Sequence, residues 1–181
     1  MIAHGLDVET GSPKYARIEY ERRWLVDPAK RPALDGRYTT LIEDRYIDSA
    51  RLRLRRMTRA DFGEIKWKLT KKYDCADPAA RPIVTFYLSE REYDLLLALP
   101  AHVLVKRRHH LQLAGRWWSL DVFEGKLAGL ELLECEVEDR LTLDALHPPD
   151  WVLREVTDLA QWQCGALARA GAVPEDRWPV S

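Results

Sequence analysis

Two sets of charged side chains in this chain have the types and spacing for phosphate chemistry. Glu19, Glu21 and Arg23 fall on alternate positions of I-E-Y-E-R-R-W-L-V (18–26), and Glu134, Glu136 and Glu138 do the same in E-C-E-V-E. In an extended strand, alternate side chains share one face, about 6.5–7 Å apart. Carboxylates that close, turned into an interior, are costly unless a cation joins them. Mg²⁺ and Mn²⁺ take carboxylate oxygens and keep open positions for water and phosphate. The complement comes from Arg53 and Arg55 in L-R-L-R, Lys66 and Lys68 in I-K-W-K-L-T, and Lys106 with Arg108 in K-R-R. Arginine pairs with phosphate bidentately and lysine supplies a point charge. Two rows of same-side cations form a cradle for a polyanion longer than one phosphate. Carboxylates for a metal and cations for phosphate are together the equipment of metal-assisted phosphoanhydride cleavage.

A charged strand face is most often simply solvated. Solvated faces usually mix signs, however, and here they segregate: 51–57 and 64–70 are basic, while 130–138 is acidic. Acids and bases that merely pair inside a barrel are an expensive route to stability.

The elements that must position these groups follow from the same alternation. Strands are expected at 17–26, 38–48, 51–57, 64–69, 83–88, 103–113, 116–123 and 130–138. Asp61-Phe62-Gly63, Ala114-Gly115 and Glu124-Gly125 serve as turns. Ser89 with Glu92 makes a capping box that starts a helix at 90–99, ended by Pro100. A short helix near 142–146 precedes Pro148-Pro149, and a last helix is expected over 158–170, stopped by Gly171. The polar stretch 71–80 reads as a loop. Eight strands, mostly joined antiparallel, can close into a barrel. Trp24, Trp67 and Trp117 fall at strand spacing and read as packing, and Cys135 has the apolar parity of a core residue.

Composition sets the outer limits. The chain has 181 residues and a net charge of -1, so no whole-molecule field draws it to nucleic acid or membrane. Its length suits one domain, over 17–171, with a flexible lead-in at 1–16 and a tail at 172–181. Cys75, Cys135 and Cys164 are widely spaced, with no C-x-x-C pair, which suggests a reducing compartment. The N-terminus has neither the basic start nor the apolar core of a secretory signal. No apolar run reaches membrane-spanning length. The expected location is cytoplasmic, with no membrane partner.

In order along the chain, these segments resemble the CYTH family, the triphosphate tunnel metalloenzymes. The family's E-x-E-x-K is met by Glu19, Glu21 and Arg23. L-R-L-R follows at 52–55, I-K-W-K-L-T at 65–70, and K-x-R at Lys106 and Arg108. L-D-V-F falls at 120–123, E-x-E at Glu134 and Glu136, and W-x-x-x-E-V-T at Trp151, Glu155, Val156 and Thr157. The resemblance covers about residues 17–168 and implies a mainly β (α+β) fold, an eight-stranded antiparallel β-barrel forming a tunnel, with flanking helices.

The resemblance further implies metal-dependent hydrolysis of a triphosphate, most simply inorganic tripolyphosphate, with Mg²⁺ or Mn²⁺. By position, Glu19, Glu21, Asp121, Glu134 and Glu136 would serve the metal. Arg23, Arg53, Arg55, Lys66, Lys68, Lys106 and Arg108 would hold phosphates, with Glu21 and Arg23 as the catalytic pair. Tyr46 is placed to reach the phosphates from the second strand. Other family activities keep the site and change the substrate: class IV-type adenylyl cyclase and thiamine triphosphatase. A non-catalytic binder of triphosphate or polyphosphate is the alternative from another class. Members often form homodimers, although no dimer seam is legible here. Nucleic acid is not expected, since an interior basic face cannot reach a duplex.

Three departures stand out. Arg23 replaces lysine, which keeps charge and changes reach. The strand at 82–88 offers only Thr85 and Tyr87 where many members carry acids and an arginine. The segment after E-V-T lacks the basic-aromatic pair common in the family, leaving the last helix less positive.

Overall fold

The computed structural model describes residues 13–34, 36 and 38–177. Most of the expected N-terminal lead-in and the last residues of the expected tail lie outside the described residues.

Among the described residues there are nine strands and three short α-helices. The strands are β1 (Arg17–Val26), β2 (Thr39–Ile47), β3 (Leu52–Arg59), β4 (Ile65–Lys72), β5 (Ala80–Leu88), β6 (Ala101–Leu113), β7 (Arg116–Phe123), β8 (Glu131–Val137) and β9 (Val152–Glu155). The helices are α1 (Glu90–Leu96), α2 (Arg140–Asp144) and α3 (Cys164–Ala170). The sheet order is β5-β4-β3-β2-β6-β7-β8-β1-β9, and a further β5–β1 pairing closes the first eight strands into an antiparallel barrel. Strand β1 makes this closure by dividing its length. Residues 17–20 pair with β5, while 24–26 pair with β9.

The alternation read from the sequence places charge inside and hydrocarbon outside. Trp24, Val26, Trp118, Leu120, Leu133 and Cys135 point outward and are buried under Leu143 of α2 and Leu146 just beyond it. Leu54 and Ile47 likewise pack outward against Tyr93 of α1, with Trp67, Leu69 and Leu88 around them. The capping box at Ser89 and Glu92 is formed, which fixes where α1 begins against that surface. Inside, one end of the barrel is apolar. Leu25, Leu104, Phe123 and Leu132 meet Trp162, Leu167 and Ala168 there. The remaining interior carries the ionisable groups.

Three elements differ from expectation. The last helix is not continuous over 158–170. Ala160–Trp162 is a 3₁₀ turn, Gln163 is extended with ψ 135°, and α3 starts at Cys164. Gly165 lets α3 approach β2, since a Cβ there would meet the Tyr46 ring at 3.2 Å. Second, β4 runs to Lys72 and β5 begins at Ala80, so the expected loop at 71–80 is shorter and two more charged residues join the wall. Third, β9 is an added strand. Trp117, expected as packing, is 58% exposed at the barrel rim. All three cysteines are free thiols, and among the described residues no helix is long and apolar enough to cross a membrane.

Candidate active site

The barrel encloses a cavity of about 370 Å³ that opens beside α3. Nine basic residues line it: Arg23, Arg51, Arg53, Arg55, Lys72, Arg81, Lys106, Arg108 and Arg169. Five acids accompany them: Glu19, Glu21, Asp74, Glu134 and Glu136. The excess of cations makes a site for a polyanion, and the low-dielectric walls intensify its field.

Strand register explains the convergence. Arg23 lies opposite Glu134 across β1–β8, Glu21 opposite Glu136, and Glu19 opposite Arg81 across β1–β5. Directly opposed residues share a face, so four carboxylates and two guanidiniums enter one volume from three strands.

Each expected site residue has a definite place. Arg23 is nearly buried. Its Nε donates to Glu134 at 2.8 Å, Nη2 to Glu21 at 2.7 Å and Nη1 to Gln163 at 3.1 Å. Glu134 receives Arg108 Nη2 on its other oxygen at 2.5 Å. The charges of Lys106, Arg23 and Arg108 outweigh its burial and hold it well below the usual carboxylate range. Glu21 goes the other way. Burial first, then the charge of Glu134, hold its carboxyl above the usual range. Glu19 accepts from Lys72 at 2.5 Å, and Lys72 keeps it below that range despite its burial. Glu136 reaches outward to Arg17 at 2.8 Å.

Asp121 is fully buried, off the cavity wall, clasped by Lys106 and by Arg108 at 2.7 Å. It acts as their counter-ion. Arg55 is held bidentately by Asp44 at 2.6 and 2.7 Å. Arg53 is looser, with its Nε 3.7 Å from Asp44 and without a hydrogen bond. Lys66 and Lys68 are not brought to the cavity. Lys66 is half-exposed beside Glu64, and Lys68 sits over the Tyr87 ring at 4.9 Å. Tyr46 lines the cavity, and burial raises its hydroxyl pKa well above the ordinary value. Glu138 is absent from the cavity lining.

Sequence reasoning missed Asp44, Lys72, Arg81, Gln163 and Arg169. Lys72 carries the parity of Lys66 and Lys68, and Arg81 that of Thr85 and Tyr87, so alternation extended two steps past Lys68 and one step before residue 83 would have found both. Arg81 supplies a guanidinium on the strand that had looked devoid of one. Arg169 likewise restores a cation to the last helix. Among the described residues neither is held by an ion pair. Gln163 had no signal, because a continuous helix was expected there.

The donor chemistry fits a hard divalent cation. Glu19, Glu21 and Glu134 line one cavity with Glu136 beside them, and the proton affinity of Glu21 registers the repulsion of Glu134 and Glu19. Among the described residues no three acids already converge as a cage.

No protein-family model matches the sequence, and no curated protein matches it either. Solved structures do. The structure of hypothetical protein NE1496 is 26% identical with a TM-score of 0.56, covering 86% of this chain and 99% of its own. A structure of the same protein described as the inorganic triphosphatase NE1496 is 24% identical with a TM-score of 0.55, covering 86% and 96%. The putative adenylyl cyclase HpAC1 from Hippeastrum, described as having a dominant triphosphatase activity, is 12% identical with a TM-score of 0.53, covering 87% and 98%. The architecture is therefore a CYTH-type triphosphate tunnel fold.

Proposed function

We propose that this protein hydrolyses a triphosphate, most simply inorganic tripolyphosphate, within its barrel and with a divalent cation. One observation carries the reading: nine cations and five acids line a single 370 Å³ cavity inside a closed barrel. The triphosphatase descriptions of NE1496 and HpAC1 support it.

Arg53, Arg55, Lys106 and Arg108 would bind the phosphate chain and bear the charge that spreads over the transferred group. Arg81 and Arg169, free of carboxylates, would meet the chain nearest the mouth. Glu19, Glu21, Glu134 and Glu136 would hold Mg²⁺ or Mn²⁺. When bound, such an ion neutralises phosphate charge and makes an attacking water more acidic. Glu21 would accept the water's proton. Asp44 and Asp121 fix the cations behind the wall. The substrate is small because duplex nucleic acid cannot enter the barrel, and three free thiols fit a reducing, cytoplasmic setting.

A binder without turnover is the second reading. It is favoured by the pairing of Glu19, Glu21 and Glu134 with cations of the protein itself. The deciding experiment is phosphate release from tripolyphosphate, ATP and thiamine triphosphate with Mg²⁺ or Mn²⁺, and Glu21→Gln as control. Metal-dependent release lost in the variant supports the hydrolase. Tripolyphosphate that raises Tm without turnover supports the binder. Neither effect would overturn both.

A further inference from the structure

Arg23 gives three of its five guanidinium N–H groups to the protein itself. All three guanidinium nitrogens are engaged, by Glu134, Glu21 and Gln163. Its backbone N–H donates to Thr157 Oγ1 at 2.9 Å, and the Gln163 amide is pinned in turn by donating to the Thr157 carbonyl at 2.9 Å. The side chain is 8% exposed. With a partner on each of its three nitrogens, Arg23 has fewer N–H groups left for a phosphate than Arg53, whose one side-chain hydrogen bond among the described residues goes to Thr70. Arg23 is well placed to neutralise two carboxylates that come from adjacent strands and repel each other.

We propose that Arg23 is the internal counter-ion of this site: it occupies Glu21 and Glu134 until a divalent cation replaces it, and it thereby sets the metal affinity of the cavity. The inference rests on the reading of the site as a metal-dependent one. The geometry makes the exchange local. Arg23 touches one oxygen of Glu134, and Arg108 holds the other. Withdrawal of Arg23 therefore frees one oxygen of Glu134 and one of Glu21 while Arg108 keeps Glu134 in place. Arginine suits this role because its planar fork serves several acceptors at once and stays charged at every working pH. A lysine at the same position is a compact point charge without the planar fork, so it holds the two acids and Gln163 less firmly. Arg23 is thus a positioning residue, tied through Gln163 to the turn that carries α3.

The test is calorimetric titration of the whole chain with MnCl₂ alone, near neutral pH, for wild type, Arg23→Lys and Arg23→Met. Both variants should bind Mn²⁺ at least about tenfold more tightly than wild type, with Arg23→Met the tighter. A gain in affinity is not what structural damage produces, and Arg23→Lys guards against a methionine variant that fails to fold. Equal or weaker Mn²⁺ binding in a folded variant overturns the proposal. Tripolyphosphate in the presence of EDTA separates this failure from failure of the wider reading. If it raises Tm while no form binds Mn²⁺, the counter-ion role is wrong and the polyanion site stands. If it also leaves Tm unchanged, both are wrong.

Discussion

Substitution of Asp44 by asparagine tests the electrostatic frame of the cavity most sharply. Asp44 is fully buried, bonds Arg55 through both oxygens at 2.6 and 2.7 Å, and lies 3.7 Å from Arg53. Arg55 and Arg53 hold its carboxyl far below the usual range, overriding the effect of burial. Removing one partner of a buried pair costs about 3–5 kcal/mol, because the other charge stays buried without compensation. Asparagine keeps an acceptor for Arg55, so the expected loss is near the lower end, about 3 kcal/mol. For a domain of this size that is a Tm decrease of roughly 6–12 °C. The sign of the pH dependence is fixed. A carboxyl depressed in the folded state contributes fully above its unfolded value of about 4 and loses that contribution as pH falls below it. The gap between wild type and Asp44→Asn, measured by urea unfolding, should therefore be widest near neutrality and shrink below about pH 4. Because the variant leaves an extra positive charge at the cavity, tripolyphosphate should bind it about tenfold more tightly and restore much of the lost Tm. At a hundredfold excess over Kd, ligand alone contributes about 2.7 kcal/mol. A loss below about 1 kcal/mol, or no gain in tripolyphosphate affinity, would refute the assignment of Asp44 as the counter-ion behind the phosphate cradle.

Other changes have distinct expected outcomes. Glu21→Gln should lower the turnover number at least about a hundredfold in a phosphate-release assay while tripolyphosphate still raises Tm. Since the Glu21 carboxyl is raised in the folded state, its effect on stability becomes less favourable as pH rises from the unfolded value of about 4.3 through the folded one. Unfolding curves of the glutamine variant should lack that decline. Lys66→Ala, which alters a half-exposed side chain away from the cavity, should change turnover less than about twofold, and a tenfold loss would contradict the cavity map. Leu132→Ala, in the apolar end of the barrel, should cost about 2–5 kcal/mol in denaturant titration. Chelation of divalent ions by EDTA should abolish phosphate release, and Mn²⁺ should restore it.

The barrel was legible because its strands alternate strictly: Glu19, Glu21 and Arg23 against Tyr20, Arg22 and Trp24 already separate the inner face from the outer. The ends of strands were less so. Pro82 made β5 look shorter and hid Arg81, although a proline is tolerated where it lies, at residue 82 beside Ile18. Lys72 was lost with the polar tract that follows it. Asp44 sits in L-I-E-D-R-Y-I, where mixed charges conceal which one turns inward. Only its pairing with Arg55 across β2–β3 shows that it is a site residue. The break at Gln163 depends on packing of Trp162 and Leu167 into the barrel end, a long-range constraint that local periodicity does not carry.

The division of labour in this barrel follows from where it is dry. Its outward faces lie beneath α1 and α2, and its apolar end lies beneath α3, so hydrophobic burial is complete without the middle of the interior. That middle could have been filled with leucine, and packed hydrocarbon is often the more stable choice over buried ion pairs. Instead it holds acid–base pairs around open volume. Two of the acids, Asp44 and Asp121, only steady cations, while Glu19, Glu21 and Glu134 face the cavity. A set of cations braced from behind and loosened in front is what an interior needs if a multiply charged anion is to enter and leave. The same arrangement implies that neutralising substitutions at the cavity wall trade function for stability, whereas substitutions in the braces lose stability first.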